Sequence, residues 1–338
     1  MAVGDIITAQ RYNDMLQKVR NVLGKGGGTT PGSDYGYGQV LQSTAKTAVT
    51  DSIRALDMVN LLADINKCIV HQTGSVSSEL VTIIAGDIIA DDVSDDTILN
   101  SGDGDKKGYV DFENVVNSLV TNRANAFSND LETIDAQSTT TDWTGVVTHT
   151  QIITFDGNYS TTNLDGTAGT ASTEDHYRHF FNTGGSIVFT ASVSADTSPT
   201  ASASKNSNWN SMLSAIGEVK LTSTGISGSS GTGSSTGALS IPINNTWETY
   251  FTKTGSSFYA ENEYTIEIRR PLANRLDFRI KLSDYDTTAE DIDTPGYAPT
   301  DELVTGTTAS TIAMYRAADT NSVNVPAPTK STTSFDIT

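Results

Sequence analysis

Two histidines three residues apart, in the segment HYRHFFNTGG at 176–185, belong to a cluster of side chains that could do chemistry. Glu174 and Asp175 come just before His176, so four possible metal ligands or proton-transfer groups lie within six residues ending at His179. A zinc site needs three or four ligands held by defined elements, and the chain has only four histidines and one cysteine. At the entrance of a β-strand, alternation would place the two histidines on opposite faces. The pattern therefore favours packing and turn formation at a strand entrance over a metal site or general base.

A second candidate is the acidic stretch DGDKKGYVDFEN at 103–114, which has the look of an EF-hand calcium loop. Three aspartates stand where such loops supply oxygen ligands: Asp103, Asp105 and Asp111. Two departures weaken the site, because Lys107 occupies the fifth position and Asn114 replaces the bidentate glutamate of the twelfth. Calcium is thus a possible ligand of a degenerate loop. The favoured interpretation is an acidic turn that leads into a helix with Asp111 as its N-cap.

Other motifs that could support catalysis are weak. The glycine-rich segment GSSGTGSSTG at 228–237 has no lysine and no following helix, so it cannot be a phosphate-binding loop. Carboxylate pairs such as Glu261 with Glu263, or Asp284 with Asp286, leave a glycoside hydrolase open, because the separation that such an enzyme needs is spatial. Chance pairs are abundant in so acidic a chain. We therefore expect that the protein is not an enzyme and has no required cofactor.

Aromatic residues offer a binding alternative. Trp209 or Trp247, with Tyr285 or Tyr297 on a nearby loop, would make a platform for stacking a sugar ring, although tryptophan more often packs in a core. Such a platform would belong to a carbohydrate-binding module whose partner is a host-surface glycan. Binding residues concentrate on loops held by a rigid scaffold. The candidate loops are 195–210, 226–238 and 284–300.

Composition and charge exclude several classes of partner. The 338 residues include 40 acidic and 21 basic side chains, for a formal net charge of −19. Nucleic acid is a poor partner for this chain, since binding phosphates needs clustered cations. No segment reaches the roughly 18 apolar residues of a membrane span, and the N-terminal residues do not have the pattern of a signal peptide. We expect neither nucleic-acid binding nor membrane insertion.

Residues 1–130 are predicted to form a helical docking and assembly module. The spacing of apolar residues indicates three short amphipathic helices, at about 8–23, 51–72 and 111–126. The first begins after Thr8 as N-cap and ends before Gly24. Its apolar stripe is a candidate subunit contact, formed by Tyr12, Leu16, Val19 and Leu23. The module also holds a glycine-rich connector at 24–40 and an acidic insertion at 76–108.

The second half of the chain is predicted to be a β-domain over 142–338, joined to the first by a polar linker at 131–141. There the periodicity changes from helical to two, as in GSIVFTASVS, YTIEIRR and LDFRIKLSD. Alternation of this kind gives a strand one buried and one wet face. Eight or more such strands indicate an antiparallel β-sandwich or jelly-roll-like domain. The predicted fold class is therefore α+β, with N-terminal short amphipathic helices before the β-domain.

The chain resembles a family of virion structural proteins, often described as tail-fibre-like, from marine T-even-like tailed phages of cyanobacteria. The distinctive blocks are YRHFFNTGG and YFTKTGSS. Further blocks that carry the resemblance are ITAQRYNDMLQKVRNVLG, GYGQ, HQTG, SMLSAIGEVKL and LVTGTTASTIAMYRA. The blocks are scattered over nearly the whole chain, and the insertion at 76–108 is the main stretch without a place in the resemblance.

This resemblance implies an assembly or adhesion role and transfers no catalytic residues. The leading hypothesis is a structural protein of the phage tail, baseplate or fibre apparatus, assembled in the host cytoplasm and located in the virion. It would dock on other virion subunits through its N-terminal helices and expose its β-domain. Closed symmetry suggests a homo-oligomer, a trimer or hexamer. The alternatives are a capsid-surface decoration protein and a carbohydrate-binding receptor module.

Overall fold

The chain forms two compact units. The computed structural model describes residues 8–27, 36–47, 51–84, 108–127, 129–194, 201–285, 303–318 and 323–338. Unit 1 comprises Met1–Asp130, Gly157–Gly184 and Arg316–Pro326, and unit 2 comprises Leu131–Asp156, Gly185–Tyr315 and Ala327–Thr338. Helices and antiparallel sheets both contribute, so the predicted α+β class is confirmed.

Unit 1 is larger than the helical module that the sequence predicts. Segments 157–184 and 316–326 were predicted to belong to the β-domain, but they pack with the N-terminal residues. Hydrogen bonds explain part of this: the Gln39 amide donates to the Asn324 carbonyl (2.8 Å), and Asn324 N donates back to Gln39 Oε1 (3.3 Å). Such pairing between residues far apart in sequence has no local signal.

The helices of unit 1 are α1 (Ala9–Leu23), α2 (Ala55–Thr73), α3 (Tyr109–Thr121) and α4 (Thr173–Asn182). The predicted caps of α1 are confirmed: Thr8 Oγ1 accepts a hydrogen bond from Arg11 N, and Gly24 N donates to the Arg20 carbonyl. Helix α2 ends at Gly74, whose φ of +79° is left-handed backbone that favours glycine.

The apolar stripe of α1 packs inside unit 1. Tyr12, Leu16, Val19 and Leu23 are all fully buried. The Tyr12 hydroxyl also donates to the Asp57 carbonyl at the start of α2 (3.3 Å). The prediction that these four residues contact another subunit is therefore wrong, because the chain's own helices already cover them.

Helix α3 begins two residues earlier than predicted. Gly108 is its N-cap, and Asp111 is the third helical residue, with its carboxylate accepting from Gly108 N (2.8 Å). An aspartate at that position satisfies one of the unpaired N–H groups of the first turn from inside the helix. Arg11 ties α1 to α3 through an ion pair with Glu113 (2.7 Å) and lies over the Tyr109 ring.

The described part of unit 2 forms two antiparallel sheets. Their strands are β1 (Asp130–Thr139), β2 (Gly145–Thr154), β5 (Ser186–Val193), β6 (Val219–Leu221), β7 (Ile226–Ser227), β8 (Thr232–Gly233), β9 (Asn244–Thr254), β10 (Glu263–Leu272), β11 (Arg275–Asp284), β12 (Thr308–Arg316) and β13 (Thr329–Ile337). The five-stranded sheet has the order β1-β12-β5-β6-β7, and the six-stranded sheet has the order β13-β2-β11-β10-β9-β8. A small pair, β3 (Ser160–Thr162) with β4 (Ala168–Thr170), lies in unit 1.

The predicted linker at 131–141 is a strand instead. Strand β1 lies at the edge of the five-stranded sheet, and within it Ile134 alone is buried. Because an edge strand with so little buried surface can be mostly polar, its sequence resembles that of a linker.

The core of unit 2 follows the predicted alternation. Along β10 and β11, register pairs such as Ile266 with Ile280 and Ile268 with Phe278 are buried. The Phe278 ring meets Phe189 of β5 edge-on, with centroids 5.3 Å apart. Helix α5 (Ala201–Ile216) contributes Trp209, which is fully buried beside Trp143.

Candidate functional site

The segment HYRHFF, predicted to be a strand entrance, is the body of helix α4. Ser172 is its N-cap and accepts from Asp175 N (3.1 Å), while the Asp175 carboxylate accepts from Ser172 N and Oγ (2.8 Å each). This reciprocal capping box starts the helix. In a helix, residues three apart are neighbours, so His176 and His179 lie on one side rather than on opposite faces.

Both ring nitrogens of His176 are engaged by the backbone. The Gly157 N–H donates to Nδ1 (3.1 Å), and Nε2 donates to the Pro326 carbonyl (2.8 Å). Because an N–H only donates and a carbonyl only accepts, these partners fix the neutral ring with its proton on Nε2. Metal binding or proton uptake at Nδ1 would break the bond from Gly157. His176 therefore joins segments that are about 150 residues apart in the sequence.

His179 is held in the same form. Its Nε2 donates to the Lys25 carbonyl (2.7 Å), and its Nδ1 accepts from the Tyr159 hydroxyl (2.6 Å). Burial lowers the pKa of His179 to about 4. Gly38 approaches this ring with a φ of +73°, and a Cβ at that position would collide with the imidazole.

Asp175 completes the cluster as an ion pair. Its carboxylate pairs with Lys25 Nζ (2.9 Å) and with Arg178 one turn along α4. Burial alone would raise the pKa of Asp175, but hydrogen bonds from Lys25, Ser172 and Arg178 outweigh it and hold the pKa far below its usual range. The carboxylate thus stays charged and paired. The cluster around α4 links separate chain segments within unit 1. Its side chains are already bonded to other groups of the protein, so they do not form an open metal site.

A Ser-His-Asp arrangement in unit 2 had not been expected from the sequence. His149 Nδ1 lies 2.7 Å from Ser310 Oγ, and Nε2 lies 2.8 Å from Asp135 Oδ2. A carboxylate only accepts, so Nε2 carries the proton, and the neutral ring accepts at Nδ1 from the Ser310 hydroxyl. A hydrolase triad uses the two nitrogens the other way round, with the serine at Nε2 and the carboxylate at Nδ1. Ser310 is moreover only 2% exposed, so a substrate carbonyl has no access to its hydroxyl. Burial also lowers the pKa of His149, with Asp135 opposing the shift.

This arrangement acts as a polar bridge between sheets. His149 lies on β2, whereas Asp135 and Ser310 lie on the neighbouring strands β1 and β12 of the other sheet. His149 and Ser310 are 161 residues apart in the sequence. No spacing rule could have found it, because the contact depends on how the two sheets meet.

The outer face of the six-stranded sheet carries a half-buried tryptophan between arginines. The Trp247 ring on β9 has the guanidinium carbon of Arg269 4.5 Å from its centroid and that of Arg279 4.0 Å from it. These three residues, which we call the Trp247 platform, come from the adjacent strands β9, β10 and β11. Part of it is visible in the sequence, because alternation puts Arg269 and Arg279 on the face opposite to the buried Ile268 and Phe278.

The other predicted binding residues are Trp209, Tyr285 and Tyr297. Trp209 is fully buried in the core of unit 2 and cannot stack a sugar, so that prediction is wrong. Tyr297 lies outside the described residues, as do 195–200 and 286–300 of the candidate loops. Tyr285, at the end of β11, is exposed.

The predicted calcium site is described only in part. Asp103 and Asp105 lie outside the described residues, and Asp111 caps α3. Among the described residues, no group of three or more His, Cys, Asp or Glu side chains could hold a metal ion. Asp111 also lines an open cavity of about 700 Å³ between α2 and α3, with Glu79 and with apolar residues such as Ile69 and Leu119.

The remaining reactive candidates have structural surroundings. Cys68 is fully buried on α2, and burial raises the pKa of its thiol, as expected for a core residue. Asp284 forms a buried ion pair with Lys205 (2.9 Å), and its proposed partner Asp286 lies outside the described residues. Glu263 accepts from Thr252 across β9 and β10 (2.6 Å). The helices of the described ranges do not include one that is long and apolar enough to cross a membrane.

Comparison with known proteins adds no family to this picture. No protein-family model matches the chain, and neither a curated protein nor a solved structure shows significant similarity to it. The interpretation of function therefore depends on the sequence blocks quoted above and on the geometry of the two units.

Proposed function

We propose that the chain is a non-enzymatic structural protein of a tailed-phage virion, located in the tail, baseplate or fibre apparatus. The observation that carries this proposal is that the histidines, which could act in catalysis, form hydrogen bonds inside the fold. His176 and His179 have both ring nitrogens bonded within unit 1, and His149 bridges two sheets beside the buried Ser310. Residues that would signal an enzyme thus hold the fold together, in keeping with the assembly role that the sequence resemblance implies.

The architecture that we propose for unit 2 is a β-sandwich. Side chains from the two sheets meet between them: Phe189 contacts Phe278, and His149 reaches Ser310. Face-to-face packing of antiparallel sheets buries one side of each and leaves the other free for contacts. A sandwich of this kind is a suitable exposed module for a virion subunit.

Docking on neighbouring subunits would use exposed apolar side chains of unit 1 instead of the buried stripe of α1. Leu56 and Val59, one turn apart on α2, are 62% and 40% exposed, and Phe127 is 67% exposed. Large apolar side chains in water are common in protein contacts when they cluster. We propose that a homo-oligomer, a trimer or hexamer, brings these residues into contact.

Immunogold labelling of phage particles tests the proposal. Serum raised against residues 142–338 should place gold on the tail or its tip in electron micrographs. Gold over the head, with copy numbers near those of the capsid, would instead favour a capsid-surface decoration protein. Absence of the chain from purified particles, judged by mass spectrometry of disrupted virions, would refute any virion role.

A further inference from the structure

The Trp247 platform has the composition of a ligand-binding surface. Trp247 is only half-buried, although an indole ring is the largest apolar side chain and normally packs in a core. It lies on the outer face of the six-stranded sheet, beside the partly exposed Arg269 and Arg279. We propose that this face binds an acidic saccharide, with the sugar ring stacked on Trp247 and its carboxylate held by Arg279. This activity goes beyond the structural role and does not depend on it.

Stacking on Trp247 explains the saccharide part of the proposal. A flat sheet face with one aromatic ring suits a sugar ring, whose C–H groups can lie against the part of the indole that the two arginines leave exposed. Polar groups stand near it on β9 and β10, including the exposed Thr249 and the half-buried Glu267, which pair across the two strands. Sugar-binding sites need such a combination of one apolar surface and a few hydrogen-bonding groups.

Charge explains why the saccharide should be acidic. The chain has almost twice as many acidic as basic residues, yet the two charged groups that lie against the Trp247 ring are both guanidiniums. Elsewhere on this face the cations Arg275 and Lys281 stand among the carboxylates Glu263, Glu267, Asp277 and Asp336. Two guanidiniums beside a partly exposed ring favour an anionic ligand.

Arg279 is the cation best placed to meet a ligand. The fully buried Asp277 is already held by Arg269 (2.7 Å) and Arg275 (2.6 Å). Arg279 lies 3.7 Å from Glu267, a long ion pair, and its side chain is 37% exposed. A guanidinium in this state retains donors that can bind a carboxylate with two parallel hydrogen bonds.

Isothermal titration of the full-length protein tests the proposal with hexagalacturonate as the acidic probe and maltohexaose as the neutral one. We expect hexagalacturonate to bind at least about tenfold more tightly than maltohexaose, and its affinity to fall as salt is added. Trp247→Ala and Arg279→Met should each weaken binding by about tenfold or more. Trp247→Tyr, which keeps an aromatic ring, should retain most of the affinity.

Matched controls separate binding from folding. Val40→Ala shortens an exposed apolar side chain of unit 1, and Lys330→Ala removes an exposed cation from β13; neither should alter binding. Equal melting temperatures would establish that the variants fold. The proposal is overturned if the wild type binds neither sugar at millimolar concentration, if both sugars bind equally, or if Trp247→Ala binds like the wild type. Because the titration uses the isolated chain, its failure leaves the virion proposal untouched, and misplaced immunogold leaves the binding result untouched.

Discussion

Replacing His179 by glutamine tests whether the histidines of α4 serve the fold. In the folded protein the pKa of His179 is about 4, against 6.5 for an ordinary histidine, because the ring is buried. Between these values the unfolded chain takes up a proton that the folded chain excludes. The stabilisation is therefore complete above pH 6.5 and is lost as the pH falls to about 4. At 1.36 kcal/mol for each pH unit, the loss is about 3 kcal/mol.

Urea unfolding of the wild type and of His179→Gln at a series of pH values between 7.5 and 4 measures this loss. Glutamine can still donate to the Lys25 carbonyl but leaves the Tyr159 hydroxyl without its acceptor, so we expect a cost of roughly 1–3 kcal/mol at neutral pH. Toward pH 4 the wild type should lose about 3 kcal/mol more than the variant, which has no group to protonate at this position, so the difference should vanish or reverse its sign. Contributions from His149 and Asp175 are common to both proteins and cancel.

Tyr159→Phe is the matched control, since it removes the same hydrogen bond while it keeps the titrating ring. Its stability should be lower than that of the wild type at every pH, and its loss of stability on acidification should be the same. If His179→Gln and the wild type lose equal stability between pH 7.5 and 4, burial does not hold His179 neutral, and the structural role argued for α4 is wrong.

Three further changes test other parts of the structure. Lys205→Met should lower the free energy of unfolding, measured in urea, by roughly 3–5 kcal/mol, because it breaks the buried ion pair with Asp284. Adding Asp284→Leu to this variant should recover most of the loss. A cost below about 1 kcal/mol for Lys205→Met alone would contradict a buried pair. Gly38→Ala should lower the melting temperature by several degrees or more, since its backbone is left-handed and its Cβ meets the His179 ring; an unchanged melting temperature would contradict that geometry. Removal of calcium by chelator should leave the melting temperature unchanged, because Asp111 serves as a helix cap, and a fall would restore the calcium-loop interpretation.

Local patterns predicted those elements that have one buried and one exposed side. Helix α1 was predicted with its Thr8 cap and its end before Gly24, because a 3.6-residue period of apolar positions reports which side is buried. Strands β10 and β11 were predicted for the same reason, with a period of two. The apolar stripe of α1 shows which side is buried but not what covers it, so the sequence could not exclude a contact of Tyr12 and its neighbours with another subunit.

Helix α4 escapes prediction because only three residues separate it from strand β5, so the sequence assigns its residues to the entrance of that strand. All eight residues from Asp175 to Asn182 are buried, although the segment has an amphipathic helical pattern as marked as that of α1. The available signal was the capping pair Ser172 and Asp175, three residues apart. The arrangement around His149 had no local signal, because Ser310 is far away in the sequence and on a different sheet.

Polar residues carry much of the specificity of this fold. Asp64, fully buried, accepts from Gln42 N and from both N and Oγ of Ser43, which fixes the segment before α2. Buried polar groups are costly unless they are paired, so each such network admits few alternative arrangements. A chain with only 36% hydrophobic residues and many Thr, Ser and Gly gains a unique packing in this way.

This use of polar residues changes where function should be sought. The buried histidine and aspartate side chains form hydrogen bonds and ion pairs within the units, so their presence in a conspicuous motif says little about activity. Arg279 and Trp247 are different, because they remain partly exposed and lie against each other on the surface of an acidic chain. A residue that is costly to leave in water, or that opposes the charge of the rest of the chain, is the stronger indication of a ligand.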